Sequence, residues 1–164
     1  MKRMLAALLV MPVAAVAADF HPSIPPTPQS DLACPFRHSV AEVESLRALP
    51  APIQEFVLSK TGAMSHRGAF FNTTDAVAQE APFHRFIRAG RSGRLWFVWF
   101  EQGGIVYNKQ LAIFSLDDDA KAQLKFHVDY FEQNPCKVTD SLLDGDVPKD
   151  LPFGDDAKDP HALW

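Results

Sequence analysis

The chain has 164 residues, with 16 Lys and Arg against 20 Asp and Glu, for a formal net charge of −4. An acidic balance argues against a general nucleic-acid binder, which needs a basic surface to meet phosphates. The length suits one domain with a proper hydrophobic core, and no segment beyond the first residues is long and apolar enough to span a bilayer.

The N-terminus predicts export. Lys2 and Arg3 form a positive region, residues 4–16 an uncharged apolar run, and Ala15-Val16-Ala17-Ala18 supply small residues for a signal peptidase before Asp19. Residues 1–18 are therefore expected to be a cleaved signal peptide, with the mature protein periplasmic or secreted. Residues 19–33 carry Pro22, Pro25, Pro26 and Pro28 and read as a polyproline-like arm.

Ser39-Val40-Ala41-Glu42 spells a capping box, with Val40, Val43 and Leu46 at helical spacing and Pro50 as a stop. Pro52 is placed to open a second helix, with Ile53, Phe56 and Val57 on one face and Gly62 closing it. From residue 67 the texture turns to strands: 68–71, 84–88, 95–101, 105–116 and 123–131, rich in aromatic and β-branched residues. Turn signals at 90–93, 102–104 and 117–119 separate the last four, and such short connections favour an antiparallel meander. The expected fold is α+β over residues 34–139. Two short N-terminal helices would pack on one face of about five antiparallel strands. Residues 140–164, rich in Asp and Pro, read as a solvated or loosely docked tail.

Cys34 and Cys136 stand near the two ends of that domain, and in an oxidising compartment they are expected to form one structural disulfide. Neither belongs to a Cys-x-x-Cys pair, which disfavours thioredoxin-like chemistry.

The segment Leu95-Trp96-Phe97-Val98-Trp99-Phe100 is apolar on both strand faces. An antiparallel strand with one wet face alternates apolar with polar, so both faces here need cover. The chain itself, a second subunit or a partner would supply the second cover, and in the last case Trp96 and Trp99 are aromatic anchors. Arg85, Arg88, Arg91 and Arg94 cluster beside this strand and suit forked contacts to a carboxylate or phosphate, or else form an ordinary solvated hairpin edge.

Cleavage after Ala18 would expose Asp19-Phe20-His21. A free amine, two amides and the third-residue imidazole can surround Cu(II) or Ni(II) in a plane, as in the amino-terminal copper and nickel motif. Enzyme signatures are scarce. Lys60-Thr61-Gly62 lacks a Ser-x-x-Lys partner, and no phosphate-binding glycine loop or His-Glu-x-x-His occurs. A site assembled from distant residues would draw on His66, His84, His127, Glu101 and Asp129. These readings point first to an exported, non-catalytic binding or inhibitory protein acting on a protein or an anionic envelope component. Metal handling at residues 19–21 and an enzyme with a dispersed site are the alternatives.

Overall fold

The computed structural model describes residues 32–73, 81–104, 106–130 and 134–151. The expected signal peptide, the metal motif at Asp19, Phe20 and His21, all of the arm but its last two residues, and the tail beyond Leu151 lie outside them. Strands β1 (Ala41–Val43), β2 (Met64–Ser65), β3 (His84–Ser92), β4 (Leu95–Gln102), β5 (Asn108–Leu116) and β6 (Ala122–Asp129) form one sheet. Helix α1 (Ala51–Thr61) lies between β1 and β2, and helix α2 (Pro135–Leu143) follows β6.

β3 to β6 form an antiparallel meander. Its first turn is a two-residue hairpin in which Ser92 pairs with Leu95. Gly93 adopts φ 58° there, the left-handed backbone that glycine takes without penalty. The outer edge of β3 is covered at both ends: β1 pairs antiparallel with Ala89–Arg91, and β2 pairs parallel with His84 and Arg85. β3 bulges at Ile87, whose carbonyl accepts a 2.5 Å bond from Arg67 Nε.

The register explains why β4 is apolar on both sides. Phe97 and Trp99 lie level with Ile113 and Leu111, and with Cys34, Val128, Cys136, Val138 and Leu142 they build one core. Val98 and Phe100 lie with Phe86, Ala89, Ala112 and Phe114 under Leu49, Ile53 and Val57 in the other. One helix therefore covers each face. The α+β class, the antiparallel sheet and the Cys34–Cys136 disulfide are all present, with Cα atoms 5.9 Å apart across the bridge.

Three expectations are corrected. The capping box does not start a helix, because residues 41–43 close the hydrogen-bonding edge of β3 and only Leu46–Ala48 coil, as a 3₁₀ turn. Tertiary pairing outweighs a helix too short to persist alone. Residues 68–71 are not a strand; Gly68, at φ 72°, turns the chain so that Phe71 drops into the interior. The domain does not end at residue 139 either. α2 runs across that boundary, starts on an Asn134 side-chain cap with Pro135 in its first turn, and buries Cys136, Val138, Thr139, Asp140 and Leu142. The two helices thus do not both precede the sheet or share a face.

One glycine is required by close approach. A Cβ on Gly103 would stand 1.8 Å from the Asn72 carbonyl oxygen and 2.8 Å from Thr73 Cα. Backbone cannot yield as a side chain would, so Gly103→Ala should lower the unfolding free energy by about 1–3 kcal/mol or more. A urea midpoint unchanged from wild type would contradict the packing of residues 72–73 on the end of β4. Asn72 itself is fully buried.

Candidate functional site: the hairpin cleft

The four arginines that cluster in sequence beside β4 divide into two pairs. Arg85 is fully buried: its Nε lies 2.5 Å from Glu101 Oε2, and its guanidinium sits 4.4 Å over the Phe71 ring. Tyr107 Oη donates to the second Glu101 oxygen at 2.7 Å. Arg88 is also inside. Its Nε and Nη2 grip both carboxylate oxygens of Glu42, at 2.7 and 2.5 Å, and it lies over Phe36 and Trp99. Its hydrogen bonds hold the Glu42 carboxyl below the usual carboxylate range. Trp99 is fully buried and donates Nε1–H to Thr139 Oγ1 at 2.9 Å. Arg85, Arg88 and Trp99 are therefore interior residues, and the expectation that they present a surface is corrected.

Arg91, Arg94 and Trp96 are placed differently. Arg91 and Trp96 are register partners, and Arg94 occupies the turn next to Gly93. With Leu116, Asp117 and Asp118 from the β5–β6 turn they line an open cleft of about 310 Å³. Both arginines are exposed and make no side-chain hydrogen bond or ion pair within the described structure. Trp96 is half-buried: it packs against the α1-side core and still lines the cleft. The far rim is held rigidly. Asp117 Oδ1 accepts the Lys121 amide at 2.7 Å, and Oδ2 accepts from Gln123 at 3.1 Å. The Lys121 amide bond above all keeps the Asp117 carboxyl below its ordinary value, so it stays ionised at neutral pH. Leu116, Asp117 and Asp118 were not foreseen as site residues, because their nearness to Arg91 depends on β4 pairing with both neighbours.

The residues suggested for a dispersed catalytic site do not converge. Glu101 lies level with Trp99 on the α2 face, engaged with Arg85, whereas His84, His127 and Asp129 share the α1 face, and His66 is exposed in the loop after β2. His127 stacks on Phe100 with ring centres 6.2 Å apart, and its Nε2 lies 3.3 Å from Gln110 Oε1. Burial pushes its pKa down to about 3 and, less strongly, lowers that of His84, where a backbone bond with Thr61 opposes it. Burial raises the Asp129 carboxyl, against hydrogen bonds from Gln110 and Asn108. Among the described residues no three His, Cys, Asp or Glu side chains are grouped to hold a metal ion.

This burial carries a pH prediction. The folded state binds a proton at His127 far more weakly than the unfolded chain does, so the contribution of His127 is complete above about pH 6.5 and is lost towards pH 3. Asp129 has the opposite sign and only partly offsets it, since a raised carboxyl pKa favours the folded state in acid. Thermal melts should show Tm falling between about pH 6.5 and 4, with a flatter curve for His127→Gln. Parallel curves would contradict the burial of a neutral imidazole.

No family model matches the chain, and no curated protein or solved structure matches it.

Proposed function

We propose that this protein is an exported, non-catalytic binding or inhibitory protein that engages a partner protein through the cleft of Arg91, Arg94 and Trp96. The observation that carries the reading is the contrast within one strand pair. Arg85, Arg88 and Trp99 are consumed by the interior, while Arg91 and Arg94 stand exposed, with no side-chain partner among the described residues, beside a half-buried indole. An amphipathic tryptophan flanked by guanidinium groups has the composition of an interface hot spot.

The far rim favours one of the two partner classes expected from sequence. Asp117 and Asp118 place two carboxylates opposite the arginines, which opposes a densely charged polyanion and suits a protein surface carrying both signs. Export is supported by the N-terminal pattern of residues 1–18 and by the disulfide, a bond that persists in oxidising compartments. No helix among the described residues is long and apolar enough to cross a membrane.

The double variant Arg91→Ala/Trp96→Leu tests the reading, since leucine keeps the core contact. Partner capture from a periplasmic extract should weaken by at least about 2 kcal/mol, while Tm shifts little. Undiminished capture would remove this cleft from the interface.

A further inference from the structure

The disulfide has an asymmetric electrostatic setting. Arg88 Nη1 lies 3.5 Å from Cys136 Sγ and 4.0 Å from Cys34 Sγ, and also donates to the Cys34 carbonyl at 3.3 Å. Cys136 is the second residue of α2, in the first turn, where unpaired backbone amides and the helix dipole favour negative charge. Cys34 Sγ lies farther from the Arg88 guanidinium, at 4.0 Å against 3.5 Å, and sits in non-helical chain. Exposure runs the other way: 9% of Cys34 is accessible and 1% of Cys136. The half-cystine with more accessible surface is thus bonded to the one nearer the guanidinium and in the first turn of α2, whose Sγ also lies 2.8 Å from the Cys34 carbonyl oxygen.

We propose that Cys34–Cys136 is a directional thiol–disulfide exchange site that accepts small thiols at Cys34 and releases Cys136 as the thiolate. An incoming thiolate attacks Cys34 Sγ, the S–S bond breaks, and its electron pair goes to Cys136 Sγ. The products are a mixed disulfide on Cys34 and a Cys136 thiolate facing Arg88. With a dithiol, its second thiolate displaces Cys34 from the mixed disulfide. The dithiol leaves as its cyclic disulfide, and both cysteines are left reduced. Exchange is faster when the departing sulfur is the better-stabilised thiolate, which sets the direction. Opening the bond frees the segment that carries Phe36, whose ring covers Phe97 and Trp99 at 5.1 and 5.7 Å, from its covalent tie to α2.

Reduced glutathione is the probe. The oxidised full-length exported protein is mixed with it, quenched early by alkylation and peptide-mapped. The glutathione adduct should sit on Cys34 and the alkylated thiol on Cys136. The reverse or an even distribution overturns the proposal, as does a reduction rate independent of glutathione concentration, which would mean that exchange waits on unfolding. Arg88 supplies a second readout of opposite sign to a packing role. If Arg88 only packs, Arg88→Met loosens the site and speeds reduction. Under the proposal the rate falls about tenfold, and Arg88→Lys restores part of it. Faster reduction in Arg88→Met overturns it, and should that variant not fold, the adduct position and the Arg88→Lys rate decide the matter, a rate below wild type supporting the proposal and one above it overturning it.

Discussion

Glu101→Ala is expected to lower the unfolding free energy by about 3–5 kcal/mol, measured from urea unfolding. Arg85 and Glu101 are 0% and 1% exposed, so alanine would leave a guanidinium without its carboxylate in the interior. Tyr107 would lose the same acceptor. The effect follows from breaking the pair and does not imply that the pair itself stabilises the fold, since desolvating two charges costs about as much as their attraction returns. The double variant Arg85→Met/Glu101→Leu should therefore recover most of the loss. Recovery identifies the orphaned charge as the cause, whereas additive losses would assign the effect to lost packing. A cost below about 1 kcal/mol for Glu101→Ala would place the pair in water.

The second large effect is expected on removing the cross-link with Cys34→Ala/Cys136→Ala. The bridge closes a separation of 102 residues. In the chain-entropy model a loop of about 100 residues restricts the unfolded state by about 4–5 kcal/mol, and measured losses for native disulfides run about 2–5 kcal/mol. It also ties the segment bearing Phe36 to α2 over the core of Phe97 and Trp99, where both half-cystines are packed. The urea slope should rise as well, because an uncrossed denatured chain exposes more surface. Loss of stability at constant slope would show that the bridge acts through native packing and not through the unfolded chain. A loss under about 1 kcal/mol would contradict a structural role altogether.

Local signals were legible where they agreed with the tertiary fold. Pro52 and Gly62 bound α1 as their backbone preferences require, and Gly62 adopts φ 67°. Strict alternation of Leu124, Phe126 and Val128 correctly reads as strand β6. The doubly apolar β4 announced that both faces are covered, and the chain supplies both covers from its own helices. The failures have one cause, that partners distant in sequence decided the outcome. Residues 41–43 carry a helix signal, but they meet the open edge of β3. α2 was overlooked because Asp140 and Asp144 gave its segment the look of a solvated tail, yet Asp140 Oδ2 accepts the Arg37 amide at 2.8 Å and the carboxylate is held inside. Asn134-Pro135 was the available start signal. Among the arginines, spacing along β3 could not reveal that the Ile87 bulge, the buried Glu101 and the exposed Glu42 would claim two of the four.

The binding role is tested most directly by recording amide and indole nuclear magnetic resonance shifts of the isotope-labelled protein as the captured partner is added. The largest perturbations should fall on Arg91, Gly93, Arg94, the Trp96 indole and Asp117–Asp118. Perturbations confined to other surfaces, with these signals unmoved at saturation, would contradict the assignment of the cleft.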